Sequence, residues 1–461
     1  MPRKRSPRSI ALATTAVLLA TAAIPGLTGM SQASAAHQDI PKPVPASAGK
    51  LTRLSASQPL STTECRRKVH HDCYGPTQYQ AAYDMKPLYD AGIDGTGRTI
   101  VIVDSFGSPT IQHDLEVFDK QYGLPDTKVE VAKWGQVPVF DPKNQDMTGW
   151  AGETTLDVEY AHAMAPGAHI VLVETGTSEQ EGTSGFPEMM DAIKDFAAKG
   201  RGDVISLSLG ATEDTFAEEA GRTGDYHLLN GLRYGLKAAA AQHTTVLAAS
   251  GDNGATDKKL DGKAYFTNRQ VGWPASDPLV TGVGGTRLHL DDNGNRTQPD
   301  EAWNDGNGSA TGGGTSHVFP RPSFQRGVSR VTGAARGVPD ISLSASPAGG
   351  AWVYGSYDPA HTGWDIIGGT SQATPMFSGV MALADQAAGR RLGNVNGALY
   401  RLAQTQGADD PHGIVDVTKG DNSGHGVKGY QAAPGYDLAT GWGTVDCYQF
   451  VKSLAGRDDL L

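Results

Sequence analysis

Apolar residues fall in short runs separated by stretches with helical periodicity. The run at residues 99–104 (Thr-Ile-Val-Ile-Val-Asp) follows an Asp-Gly-Thr-Gly turn and predicts a buried strand, and 129–131 is a shorter candidate. Strands are also predicted at 169–173, 204–209 and 245–249. Between them, 153–164, 187–199 and 226–242 carry helical patterns, the first stopping before Pro166-Gly167. A β-like run at 364–367 leads through Gly368-Gly369-Thr370-Ser371 into an apolar, helix-compatible run at 376–383. Strands alternating with helices of this length predict an α/β fold, a mainly parallel sheet flanked by helices on both faces. Such sheets bind ligands beyond the carboxyl ends of their strands. Regular structure is expected from about Tyr79 onward.

Composition sharpens this picture at the N-terminus. Arg3, Lys4, Arg5 and Arg8 precede an apolar run at 10–25 and small residues around Ala33-Ser34-Ala35-Ala36, the pattern of a secretory signal peptide over residues 1–36. Residues 37–75, rich in Pro, Ser, Ala and Thr, predict a flexible extension, and 76–461 a single large domain. The chain is therefore read as exported, with no membrane attachment after leader cleavage. The formal net charge of −11 becomes about −15 once the leader's four basic residues are removed, which argues against nucleic acid as a partner. Cys65 and Cys73 are close enough in sequence to close a local disulfide. Cys447 is then a buried free thiol, or pairs at long range with one of them.

The candidate chemistry gathers around Ser371. Glycines before a serine let the backbone turn sharply. A serine opening a helix sits where free N–H groups and the helix dipole favour a developing oxyanion, although the same position suits a simple N-cap. Glu153 and Asp157, four apart on a predicted helix, share one face. Two such acids either lie solvated or share a proton, and a proton-sharing pair can act as a base at acidic pH, where histidine is protonated. Asp252 follows a buried strand, and a carboxyl there that kept its proton would donate to an oxyanion.

Taken in chain order, these residues resemble the sedolisin family of serine-carboxyl peptidases. Glu153-Thr154-Thr155-Leu156-Asp157 is similar to the family's E-x-x-x-D helix, Ser250-Gly251-Asp252-Asn253-Gly254 to its S-G-D-S-G turn, and Gly369-Thr370-Ser371 to its serine motif. Trp273-Pro274-Ala275-Ser276, Gly284-Gly285-Thr286, Trp303-Asn304, Thr311-Gly312-Gly313-Gly314 and Gly337-Val338-Pro339-Asp340 extend the likeness from about Tyr79 to Phe450. The resemblance implies a subtilisin-like fold and a secreted endopeptidase acting on protein or peptide substrates, with a monomer as the expected state. Ser371 would be the nucleophile, Glu153 the general base and acid, Asp157 its orienting partner, and Asp252 the oxyanion donor. Ser206, Leu207, Ser208, Leu209 and Gly210 would pair with extended substrate. One Ca²⁺ would lie in a C-terminal loop region, held by Asp416 and Asp437 and the carbonyls of Val417, Ala433 and Gly435.

Three features depart from the family pattern. Residues 36–75 are too short for its usual prodomain, Leu209 stands where Trp is frequent, and Asp104 where Glu is frequent. Two rivals remain in view. A Ser/His/Asp subtilisin using Asp104 would need a histidine in an H-G-T-H context, which His113, His162 and His169 lack. The other is a secreted, non-catalytic peptide-binding protein on the same fold.

Overall fold

The computed structural model describes residues 58–360, 362–406 and 411–457. The expected leader and the first part of the extension lie outside the described residues. The main sheet runs, from one edge, Glu301–Ala302, Thr281–Arg287, Thr245–Ala249, Val204–Leu207, Thr99–Ser105, His169–Thr175 and Glu130–Trp134. All neighbours are parallel except the antiparallel edge pair, and Ile341–Ser344 adds a parallel partner to Thr281–Arg287. The expectation of a mainly parallel sheet holds.

Alternation along these strands splits the core in two, because successive side chains leave opposite faces. Ile100, Ile102, Ile170, Leu172 and Leu247 pack with Leu156, Tyr160, Met376 and Phe377, from the helices Gln145–Met164 and Thr370–Ala388. Val101, Val103, Val171, Val173 and Val246 pack with Phe186, Met189, Ile193 and Leu236 on the other face. The two helices of the first face approach closely. A Cβ on Gly379 would stand 2.5 Å from the Cβ of Met164, so glycine is what lets them meet.

Several expectations are corrected. Regular structure begins well before Tyr79: a helix spans Thr62–Lys68, capped by Ser61, and Asp72–Tyr74 is a strand parallel to Gly349–Gly355. A disulfide joins Cys65 to Cys73, and Cys447 is buried and free, which resolves the two pairings left open by the sequence. The segment is held by this bridge and by pairing with a strand far away in the chain. Neither leaves a trace as local periodicity.

The helix carrying Glu153 starts earlier than its pattern suggests, at Gln145, with Asn144 accepting from the N–H groups of Asp146 and Met147. The pattern at 226–242 resolves into two helices, His227–Leu232 and Tyr234–Ala241. Trp364–Ile367 belongs to the strand Gly363–Ile367, which is not in the main sheet. It pairs antiparallel with Gly349–Gly355, so the turn before Ser371 leaves a separate three-stranded sheet.

Candidate active site

Ser371 is the second residue of the helix Thr370–Ala388, and it is 7% exposed at the floor of a cleft. The turn before it depends on Gly369, whose φ of +125° favours glycine. A Cβ at Gly369 would stand 2.8 Å from Asp252 Oδ2, so a larger residue would push that carboxyl away. Asp252 Oδ1 accepts from Thr370 N at 2.7 Å and Thr370 Oγ1 at 2.9 Å, and Thr370 Oγ1 accepts from Gly251 N at 3.1 Å. Thr370 thereby fixes Asp252 beside the serine. It is a positioning residue, and its place in the G-T-S motif is the sequence signal for it.

The helix Gln145–Met164 supplies the acids. Glu153 is 5% exposed and Asp157 is fully buried, and Glu153 lines the same cleft as Ser371. Burial pushes the Glu153 carboxyl well above the usual range, the nearby Ser371 hydroxyl draws it down, and the fields of Asp104 and Asp252 push it up again. Asp157 is also raised, first by burial and then by Asp104 and Glu153. Asp104 is raised to about 7, chiefly by burial; Thr154 Oγ1 donates to its Oδ2 at 3.0 Å, which lowers it, and Glu174 raises it. Glu153 Oε1, Asp157 Oδ2 and Asp104 Oδ1 have no hydrogen-bond partner among the described residues. Burial thus disfavours the ionised form at all three acids, and Asp104 raises both Glu153 and Asp157.

Ser208 ties this cluster to the serine. Its Oγ lies 2.8 Å from Asp157 Oδ1 and 3.2 Å from the Ser371 carbonyl oxygen. With Asp157 protonated, the carboxyl donates to Ser208 Oγ and Ser208 donates to Ser371 O, which satisfies both acceptors. Ser208, Leu209 and Gly210 line the cleft together with Ser250, Gly251 and Asp252. Ser206 and Leu207 do not. Ser206 pairs with Ile102 and Leu247, Leu207 with Ala248, and both are fully buried within the sheet, so their main chain is not available to substrate. Trp150, one turn before Glu153, lines the same cleft and donates from Nε1 to Ser178 Oγ at 3.1 Å. Helical spacing from Glu153 was the signal for it.

The histidines stand elsewhere. His162 Nε2 lies 3.0 Å from Pro125 O and 3.3 Å from Asp119, and His169 meets Glu130. Glu153, and not a histidine, lines the cleft with Ser371.

The C-terminal residues converge as a second group. Asp416 Oδ2 accepts from Gly435 N at 2.8 Å, and Asp437 Oδ2 from Ala433 N at 2.9 Å. Asp437 Oδ1 accepts from Ala439 N and Thr440 N, each at 2.8 Å. Burial raises both carboxyls, and main-chain donors lower them. Among the described residues no main-chain N–H donates to the carbonyls of Val417, Ala433 or Gly435. Nor do three His, Cys, Asp or Glu side chains converge as a metal cluster among the described residues, so a cation here would rest on two carboxylates and main-chain oxygens.

A model described as the subtilase family matches residues 145–410. Kumamolisin from Bacillus sp. (strain MN-32) is 33% identical over 383 residues, covering 80% of the chain and 62% of that protein. Sedolisin from Pseudomonas sp. (strain 101) is 31% identical over 380 residues, covering 81% and 60%. The chain thus spans about three fifths of the length of these curated relatives. A solved Pseudomonas sedolisin, complexed with two molecules of pseudo-iodotyrostatin, superposes with a TM-score of 0.69 at 28% identity, covering 84% of the chain and 99% of that structure.

Proposed function

Because the chain belongs to the subtilase family, on its sedolisin branch, we propose that it is a secreted serine-carboxyl endopeptidase working at acidic pH. The observation that carries this reading is a single cleft lined by Ser371 at the head of a helix, the buried Glu153 and Asp252. Ser371 Oγ attacks the scissile carbonyl while its proton passes to Glu153. The carbonyl oxygen becomes an oxyanion facing Asp252. Thr370 occupies Oδ1 of that residue, so a donated proton would come from Oδ2. Glu153 then gives its proton to the leaving amine, the C–N bond breaks, and an acyl ester remains on Ser371. Water attacks the ester with Glu153 again as base, releasing the acid and restoring the serine. Asp157, held by Ser208, stabilises the proton on the pair.

Asp416, Asp437 and the carbonyls of Val417, Ala433 and Gly435 would hold Ca²⁺. Hard oxygen donors suit that ion, and the three carbonyls lack main-chain N–H partners among the described residues. When bound it supplies charge neutralisation in the loop, and no step of the reaction passes through it. Export is supported by the leader pattern and by the disulfide. No helix among the described residues is long and apolar enough to cross a membrane.

The test is a pH–rate profile on denatured protein with calcium present. Activity peaking below neutrality and lost in Ser371→Ala and Glu153→Gln is expected. A neutral optimum that survives Glu153→Gln would overturn the reading, and no hydrolysis at any pH would favour a binding protein.

A further inference from the structure

Away from Ser371 the cleft is walled by acids that the reaction above does not use. Glu179, Glu181 and Asp257 line it together with Lys258. Glu179 is 2% exposed, and its Oε1 has no hydrogen-bond partner among the described residues. The wall is built from loops tied to one another. Glu181 Oε2 accepts from Thr212 N at 2.8 Å, and Thr212 Oγ1 donates to Lys258 O at 2.9 Å. Asp257 Oδ1 accepts from Asn253 Nδ2 and from Lys258 N, both at 2.7 Å. The wall also adjoins the reaction centre, since Asp257 Oδ2 lies 3.4 Å from where a Cβ on Gly251 would stand, next to Asp252.

The charge balance is one-sided. Asp146 and Asp257 act on Glu179 across space, and Lys258 and His425 are the nearby basic groups. Lys258 offsets one of several acids. Burial pushes Glu179 and Glu181 well above the usual carboxyl range. Carboxyls so raised are neutral at acidic pH, and a charged N–H donor seated against the bare Glu179 Oε1 draws its carboxyl back to the ionised form, a charge pairing that a neutral side chain cannot supply.

We propose that this wall receives a cationic nitrogen of the peptide substrate and so sets specificity. That nitrogen is a Lys or Arg side chain near the scissile bond, or the substrate's free terminal amine. The inference rests on the peptidase reading.

The experiment uses the full chain with calcium and matched peptides carrying Lys, Arg, norleucine or Gln at each position near the cleavage site. Each peptide is made with a free and with an acetylated N-terminus, and kcat/KM is read by mass spectrometry. A preference of about tenfold or more for cationic peptides is expected in the wild type. The ratio should fall to within about twofold in Glu179→Gln and in Asp257→Asn, so either variant decides if the other fails to fold. Preference that survives acetylation assigns the wall to a side chain, and preference that acetylation abolishes assigns it to the terminal amine. A wild-type ratio near one for both, or a ratio unchanged in the variants, overturns the proposal while leaving the peptidase reading intact. If the wild type cuts no peptide at all, the peptidase reading fails and the proposal falls with it.

Discussion

Two groups of buried carboxyls are furnished in opposite ways. Asp437 in the C-terminal loop accepts from Ala433, Ala439 and Thr440 main-chain N–H groups, and Thr440 Oγ1 adds a side-chain donor at 3.2 Å. Glu153, Asp157 and Asp104 each keep one oxygen without a partner among the described residues. Acids surrounded by donors lose less by staying ionised, so they hold a loop in place. Acids with bare oxygens are poised to take or give a proton. Burial is common to both, and a bare oxygen alone does not mark reactive use, since Glu159 and Asp385 keep one away from the cleft; what sets Glu153 apart is that it lines the cleft beside Ser371.

The largest effect that would sharpen this contrast is at the reaction centre. Ser371→Ala and Glu153→Gln are each expected to lower kcat by about 10⁴-fold or more, measured as single-turnover peptide cleavage. Retention of a tenth of the activity in Glu153→Gln would break the contrast. Next, Asp252→Ala should cost about 10²–10³ in kcat, while Asp252→Asn, always a donor, should keep more. Equal losses would count against an oxyanion role.

At the other group, Asp437→Ala removes the acceptor of several buried donors and should cost about 3 kcal/mol in denaturant unfolding. Chelating calcium should lower Tm in the wild type and less in that variant. A shifted pH–rate profile in Asp437→Ala would show that the loop is not merely structural. The smallest effect concerns Asp104. Its folded pKa, about 7, lies above the unfolded value, so its contribution to stability is full below about pH 4 and lost as pH rises through about 7. Across that window Asp104→Asn should flatten the pH dependence of the unfolding free energy by about 2 kcal/mol, read from urea titrations, because Glu153 and Asp157, raised as well, still titrate in the variant. An unchanged slope would place the proton elsewhere.

Five strands of the main sheet were legible as short apolar runs between turn signals, whereas Thr281–Arg287, Glu301–Ala302 and Ile341–Ser344 were not, because glycine, polar residues or brevity leave them without an apolar run. The first turns of the helix Gln145–Met164 were not. This helix is buried on most sides and contains Gly149 and Gly152, so it lacks the two-sided pattern that marks a surface helix. Glu153, Asp157, Asp252 and Ser371 could be named from motif order, and the structure brings them together. Ser206 and Leu207 could not be separated from Ser208–Gly210, since where a strand stops pairing is decided by its neighbours. Glu179, Glu181 and Asp257 sit on loops whose meeting is set by Thr212 and Lys258, and no spacing in the chain announces it.

The strand Asp72–Tyr74 lies beside Gly349–Gly355, whose other neighbour, Gly363–Ile367, runs directly into the turn before Ser371. The serine is thus framed by a ribbon whose outer strand comes from the beginning of the described chain. Pairings of such wide sequence separation are slow to form in folding. During synthesis the helix carrying the acids emerges long before this ribbon can close, so the reaction centre is completed only as the C-terminal part of the chain arrives.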